Sequence, residues 1–330
     1  MASHMQKQET SQLRDKIAAV AFYEERYAQG YMDEWPPQKK DRIFQIIRNL
    51  DLPHAGDALD FGCGNGIFTN VLRYALPAGW KVYGTDISQI AIENAKKRYP
   101  ECLFFAVDDK QFIGRHFDFL FTHHVLEHVY DLPKVFKEMT DRLKDKSAML
   151  HILPCGNGGS FEHNVCLLRK DGINTQLENR FFFEDEGHLR RLTTGQLNKL
   201  CKDEGFVLAD QYYGNQYYGA IDWITQSELS FIREFTDTSS AVDRKAGTTL
   251  TRMQYKLLLL WLFRRPVVLF ERKLRRNNKT VRDFVLLILG FAPYVFGKPV
   301  DYYLRKNAEA EWAKHKTKRN GSEMYLFFKR

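Results

Sequence analysis

The chain has 330 residues, 44% hydrophobic and 27% charged, with a formal net charge of +8; this allows a sizeable core in one large or two modest domains and excludes collagen-like, wholly disordered and disulfide-scaffold classes. Five cysteines, an odd number with no CxxC spacing, read as reduced thiols in a cytoplasmic-type compartment. The net charge conceals a partition: residues 1–243 hold 28 Lys and Arg against 35 Asp and Glu, whereas residues 244–330 hold 21 against 6, so the carboxyl-terminal part presents a separate basic surface.

The opening Met1-Ala2-Ser3-His4-Met5 reads as the remnant of an expression tag, and residues 1–19 as that remnant plus an amino-terminal arm. From Asp57 short apolar runs alternate with helix-like stretches, the pattern of βαβ units and a parallel sheet. Ala58 to Phe61 is the first strand, Phe68 to Ala75 a helix and Lys81 to Thr85 the second strand; Ser88 caps a helix whose Ala91, Ile92, Ala95 and Tyr99 share a face. Leu103 to Val107 and Phe117 to Thr122 are the third and fourth strands. Leu132 to Leu143 is a helix with Val135, Phe136 and Met139 inward, and Ala148 to Leu153 is the fifth strand.

Pro154 to Gly159 is a loop, and the aromatic-rich stretch Ser160 to Arg191 reads as irregular, so residues 155–191 are expected to form a lid. Thr193 or Thr194 caps a helix through Glu204 that Gly205 stops; Phe206 to Tyr213 and Met324 to Lys329 are the last two strands. The expected core is therefore residues 20–213 with 322–330, interrupted by a basic amphipathic helical insertion at 214–321 whose main helices lie at 252–276 and 280–306. Crossing a bilayer takes about 18 uninterrupted apolar residues; the best runs, Leu257 to Phe263 and Phe284 to Gly297, give 7 and 14, so no crossing helix is expected.

The sharpest motif is Leu59-Asp60-Phe61-Gly62-Cys63-Gly64-Asn65-Gly66, a strand running into a glycine turn. Such a turn lets backbone approach a ligand closely. The third glycine follows the second by two residues, and Ile67 stands where a dinucleotide fingerprint needs glycine. Asp60 would repel a pyrophosphate but suits an ammonium or sulfonium charge. Asp86 ends the second strand 24 residues after Gly62, where a carboxylate accepts hydrogen bonds from both hydroxyls of a ribose.

At these residues the sequence resembles the class I S-adenosylmethionine-dependent methyltransferases, over about residues 20–213 plus the last strand. The resemblance implies an α/β fold, a seven-stranded, mostly parallel, Rossmann-like sheet flanked by helices, and S-adenosylmethionine as the cofactor. It implies that the residues matching Asp60, Gly62, Gly64 and Gly66 wrap the methionine moiety, that Asp86 and Ile87 hold ribose and adenine, and that Asp108, or Asp109 beside it, holds the adenine amino group. Cys63 within the loop and Thr122 at the end of the fourth strand complete the expected cofactor set.

In an open parallel sheet, ligands sit at the carboxyl ends of strands. His123, His124 and His128, just after the fourth strand, are accordingly the candidate general bases, with His188 an outlying fourth. A hydroxyl acceptor must lose its proton as it attacks the methyl carbon; a phenolate, carboxylate or free amine needs no base. His124-Val125-Leu126-Glu127-His128 also fits an H-x-x-E-H metalloprotease pattern, but it follows a parallel strand and no third ligand is evident. Some members of the family hold a divalent ion with an acidic residue at the position of His124 together with residues matching Glu127 and His128; with histidine there, no metal is expected.

Tyr255 to Arg265, Arg272 to Arg276 and Phe284 to Phe296 join apolar faces to cationic flanks, which suits a cap over the acceptor, an interface, or an anionic membrane surface. Nucleic acid fits less well: the basic residues are interleaved with long aliphatic clusters, and no Asn/Asp-Pro-Pro-Tyr/Phe site follows the fourth strand. The expected activity is methyl transfer from S-adenosylmethionine to a small molecule, foremost an oxygen of a glycan or lipid-linked glycan, in the cytoplasm or peripherally at the inner face of the membrane. The alternatives are an RNA methyltransferase using the basic tail and a non-catalytic cofactor-binding scaffold.

Overall fold

The computed structural model describes residues 15–275 and 280–330; the expected tag remnant and Arg276 of the basic tail lie outside the described residues. Two helices, α1 (Lys16–Ala28) and α2 (Pro37–Arg48), precede β1 (Ala55–Phe61), α3 (Ile67–Ala75), β2 (Gly79–Asp86), α4 (Gln89–Arg98), β3 (Leu103–Ala106) and β4 (Phe117–His123). Then come α5 (Leu132–Thr140), β5 (Leu143–Pro154), α6 (Phe161–Leu167), the short β6 (Ile173–Asn174) and β7 (Arg180–Phe181), α7 (Thr194–Asp203) and β8 (Val207–Gly214). Four helices follow before the last strand: α8 (Tyr218–Ile224), α9 (Leu229–Phe235), α10 (Arg244–Leu274) and α11 (Val281–His315), then β9 (Glu323–Lys329).

The main sheet has seven strands in the order β3-β2-β1-β4-β5-β9-β8, as the resemblance implies. β1 pairs parallel with both β2 and β4, β2 with β3, and β4 with β5. The order of strands reverses between β1 and β4, and the crevice at their carboxyl ends is where such a sheet places a ligand. Central strands covered on both faces must be apolar throughout, and Ala58, Leu59, Phe119, Leu120 and Phe121 are all fully buried.

Local chemistry sets the helix ends. Ser88 Oγ accepts from Ala91 N at 3.1 Å to start α4, whose Ala91, Ile92 and Ala95 are buried. Thr193, one of the two expected caps, opens α7 in a capping box with Gln196. The helix expected to run to Leu143 stops at Thr140, and Leu143 instead begins a 12-residue β5. The polar run Lys144 to Ser147 concealed it: Phe117 pairs with Leu143 but Phe119 with Ala148, an irregularity that absorbs extra residues on β5.

The described chain divides into two compact units: residues up to Pro154 with Glu186–Gln211 and Tyr325–Arg330 form one, and Cys155–Asp185 with Tyr212–Met324 the other. The stretch read as irregular contains α6, capped where Ser160 Oγ accepts from His163 N at 3.1 Å, and the antiparallel pair β6 and β7. In this second unit Phe161, Val165, Ile221, Ile224, Phe235 and Leu250 belong to one apolar core. The fully buried Arg264 ties α10 to α8 and α11 through Asp222 Oδ1 at 2.8 Å and Asp301 Oδ1 at 2.9 Å. By length and composition alone α11 is long and apolar enough to cross a membrane, with an 18-residue window of mean hydropathy 1.4 that is 11% buried. Counting only uninterrupted apolar residues hid a window that tolerates an occasional charge.

Candidate active site

The turn after β1 is held by backbone before any ligand is considered. Gly62 N and Cys63 N donate to Thr85 O at 2.8 and 2.9 Å, tying the loop to the neighbouring strand. Gly66 adopts φ +77° as the cap of α3, a left-handed conformation that glycine takes without cost. Gly64 also has positive φ, at +50°, and an added Cβ would lie 2.6 Å from the Tyr27 hydroxyl. The loop is therefore roofed closely by α1.

Asp60 and Asp86 are both buried under this roof. Thr69 Oγ1 donates to Asp60 Oδ2 at 2.6 Å. Asp86 Oδ2 accepts from Gly64 N and Oδ1 from Ser88 N, each at 2.9 Å. Burial nonetheless raises Asp60 to about 7, against the lowering by Thr69, and raises Asp86 to about 6, against the lowering by its backbone donors. Burial likewise pushes the Tyr27 phenol up, with the Asp86 charge adding to it. This is a pocket short of positive charge.

The carboxylates border a cavity of about 320 Å³ lined by the glycine loop, the ends of β2 and β4, and aromatic residues of the amino-terminal segment. Tyr23 and Tyr27 come from α1, and Tyr31 and Trp35 from the connection to α2. Asn65 Nδ2 donates to Tyr31 O at 3.2 Å and Asp33 Oδ1 at 2.7 Å, fastening that connection to the loop. Glu24 of α1 accepts from Gln89 N at 2.6 Å and Ile90 N at 3.2 Å, occupying the amino terminus of α4. Tyr23, Glu24, Tyr27, Tyr31, Asp33 and Trp35 were not singled out in the sequence. The available signal was the i, i+4, i+8 spacing of Tyr23, Tyr27 and Tyr31 in the segment before the first strand.

At the other end, β4 delivers three histidines. His123 packs against Phe68 and Trp35, ring centroids 4.0 and 4.7 Å away. His124 has φ +53°, and its Nδ1 lies 3.1 Å from Glu127 Oε1. Glu127 is fully buried; burial alone would raise its carboxyl, but the hydrogen bond and charge of His124, with His128 and His188 nearby, bring it down to about 2. His128 Nδ1 is 2.9 Å from Gly187 O, and the His188 ring meets the His128 ring edge-on at 4.6 Å. Glu127, His128 and His188 each offer one ligating atom within 4.8 Å of the others; the first two are the positions that hold a divalent ion in some members of the family, and His188 joins them although no metal was expected.

Of the expected cofactor residues, Asp60, Gly62, Cys63, Gly64, Asp86 and Ile87 line the cavity, as do His123, His124 and His128 of the expected bases. Gly66 stands one step behind, shaping the turn. Asp108, Asp109, Thr122 and His188 are not among the lining residues. Asp108 is exposed and Asp109 Oδ1 is used locally by Gln111 N at 2.8 Å, leaving Val107 to face the cavity. Thr122 points to the opposite face of β4 from His123, its hydroxyl 2.8 Å from His151 Nδ1.

The residues present fit an adenosyl sulfonium donor: buried carboxylates raised by desolvation, a Cβ-free turn, and an acid at the end of β2 for a ribose. Comparison with known proteins agrees. The family model described as "Methyltransferase domain" matches residues 7–211. The trans-aconitate 2-methyltransferase of Enterobacter sp. (strain 638) is 30% identical over 101 residues, covering 30% of this chain and 40% of that protein. The enzyme of the same name from Variovorax paradoxus (strain S110) is 35% identical over 60 residues, covering 18% of this chain and 23% of its own. The chain thus spans less than half the length of these relatives. The magnesium protoporphyrin IX methyltransferase of Synechocystis PCC 6803, solved with bound SAH, is similar at 18% identity and a TM-score of 0.42, over 60% of this chain and 92% of that one. The chain belongs to the methyltransferase-domain family.

Proposed function

We propose that the enzyme methylates a hydroxyl oxygen of a small acceptor of the glycan or lipid-linked glycan class, with His124 as general base. The observation that carries the reading is the pairing of His124 Nδ1 with the fully buried, ionised Glu127 at 3.1 Å, on a residue that lines the cavity. A buried carboxylate on one imidazole nitrogen fixes the tautomer and steadies the imidazolium that forms when the other takes a proton. His128 has its Nδ1 at a backbone carbonyl, which makes it a positioning residue beside the acceptor.

In this proposal Asp86 accepts from the ribose hydroxyls, and Asp60 with the glycine loop faces the methionine end. When bound, S-adenosylmethionine supplies an electrophilic methyl carbon on a sulfonium. His124 would take the acceptor's hydroxyl proton at Nε2 as the oxygen attacks; with the cofactor bound, the methyl carbon would pass to that oxygen and the sulfonium would leave as the neutral thioether. The aromatic roof excludes water from that displacement, and holding the oxygen in line with the methyl carbon supplies the rest of the rate.

The test is His124→Ala, read as methyl release on a glycolipid extract with S-adenosylmethionine binding followed by calorimetry. The expected result is a turnover loss of about 100-fold, the usual contribution of a general base, with binding unchanged. Undiminished turnover would refute the base and favour an acceptor that needs none. A carboxylate such as that in the name of the trans-aconitate 2-methyltransferase relatives is one.

A further inference from the structure

The second unit contains a surface that the methyl-transfer chemistry does not use. α10 and α11 form an antiparallel hairpin in which Gly297 of α11 approaches closely enough that an added Cβ would lie 2.2 Å from Phe263 O. The side of α11 turned inward follows helical spacing: Asp283, Leu287, Gly290, Tyr294, Gly297, Asp301 and Leu304 are less exposed than their neighbours. One face is accordingly spent on α10. Over residues 281–297 the rest of α11 is largely apolar, where the outer face of a solvated helix should be polar. Val281, Ile288, Leu289 and Phe296 are 82, 76, 70 and 74% exposed, and Phe284, Val285, Phe291 and Val295 lie open among them. On α10, Leu259, Leu262 and Leu269 are exposed as well.

Charge identifies the occupant. The described parts of the 257–298 stretch contain seven Lys and Arg and only two acids, Glu271 and Asp283. Both acids are taken: Glu271 by Arg275, Lys298 and Arg305, and Asp283 by Lys273 while it also caps α11. Arg272 and Arg282 are exposed at the distal ends of the two helices, and no ion pair engages either among the described residues. A second copy would bring another basic end against this one, and like charges oppose such a contact. Full crossing would carry Arg272, Lys273, Arg275 and Arg282 through hydrocarbon. An anionic lipid interface meets both features, taking the apolar side chains below the head groups and the guanidinium groups at their level.

We propose that the α10–α11 hairpin is a membrane-docking element that lies in the interface of a bilayer bearing anionic lipid. The proposal does not rest on the acceptor reading or on the identity of the base.

The test is flotation of the full chain with vesicles of phosphatidylcholine, with and without about 30% phosphatidylglycerol, at low and high salt. The wild-type chain is expected to float with the anionic vesicles and to be released by salt. Combined Ile288→Glu, Leu289→Glu and Phe296→Glu should abolish flotation, and combined Arg272→Glu and Arg282→Glu should reduce the bound fraction about tenfold or more. S-adenosylmethionine binding, measured on each variant, should be unchanged because its residues belong to the other unit. A wild-type chain that stays with the aqueous fraction, or one that buries this face in a vesicle-independent dimer, overturns the proposal. So does undiminished flotation of the triple variant, or equal flotation with neutral vesicles. Flotation without cofactor binding would instead count against the active-site reading alone.

Discussion

Asp60 offers a test in which stability and function move in opposite directions. The carboxyl is 1% exposed, and burial lifts it to about 7, whereas an unfolded aspartate titrates at about 3.9. Because the folded value is raised, the stability linked to its proton is fully present below about pH 3.9 and is lost as pH climbs through 7. Each tenfold difference in proton affinity between the folded and unfolded chains is worth about 1.4 kcal/mol, and integrating the two titrations gives a loss of about 2 kcal/mol between pH 5.5 and pH 8. Asp60→Asn keeps an acceptor for the Thr69 hydroxyl and removes the titration. The melting temperature of the cofactor-free variant, relative to wild type, should therefore rise by about 4–8 °C on going from pH 5.5 to pH 8, since a unit of this size shifts by about 2–4 °C per kcal/mol. Comparing the variant with wild type at each pH cancels the other titrating groups. Affinity moves the other way: a bound cation favours the ionised carboxylate, so S-adenosylmethionine should stabilise the wild type more at pH 8 than at pH 5.5, and Asp60→Asn should weaken binding and flatten that dependence. Differential scanning fluorimetry across pH, with and without S-adenosylmethionine, reads both. Parallel melting curves for the two proteins would show that Asp60 does not titrate in this window, and the charge-deficient description of the pocket would fail.

Three further outcomes follow from the contacts. Glu24→Ala removes the side chain that covers the first amides of α4, so denaturant unfolding should show a loss of about 1 kcal/mol; cofactor affinity should fall with it as α1 loosens, and unchanged affinity would separate α1 from the site. Glu127→Gln should lower kcat/KM by at least about tenfold and move the acid limb of its pH profile to lower pH, because the neutral amide no longer steadies the imidazolium; a profile identical to wild type would remove Glu127 from the chemistry. Arg264→Ala leaves Asp222 and Asp301 without their buried partner and should cost about 3–5 kcal/mol, whereas Arg264→Met combined with Asp301→Leu should recover much of it; equal losses in both would contradict an electrostatic origin.

β1 and β2 were legible because each is short, largely apolar and followed within two residues by a glycine or serine whose role is local. Ser88 and Thr193 start their helices through contacts within three residues, and a motif of that span is visible in one dimension. The same locality explains Asp60, Gly64 and Asp86, which one strand–turn–helix crossover brings to the cavity. The failures share a cause of the opposite kind. Tyr27 and Glu24 meet residues more than 35 positions away, and nothing near them announces a partner. Asp109 looked suitable by position but spends a carboxylate oxygen on its own turn at Gln111, a competition that sequence spacing cannot rank. Thr122 and His123 differ only by which face of β4 they take. The polar start of β5 was misread because its pairing with β4 is irregular there. The α10–α11 surface was visible as composition, but only the hairpin shows that most of the apolar face of α11 is left outward after packing.

Backbone accounting argues against a pyrophosphate in this pocket, even though a strand–turn–helix site of this kind serves nucleotide-binding sheets. A phosphate at a strand–turn–helix site is held by unspent amides and helix amino termini. Here Gly62 N and Cys63 N are committed to Thr85 O, Gly66 N to Cys63 O, and Gly64 N to the Asp86 carboxylate. The amino terminus of α4, the other natural anion site, is filled by Ser88's bond to Asp86 and by Glu24 reaching across from α1. Carboxylates have thus taken the place of a phosphate, and each has done so at the cost of a burial that raises Asp60 and Asp86. A ligand that restores the balance must bring positive charge to that end of the cavity and hydroxyls to Asp86, whose carboxylate already accepts from the backbone of Gly64, Ser88 and Ile87. The selection for a sulfonium nucleoside is therefore completed by α1, the element whose contribution the sequence least disclosed.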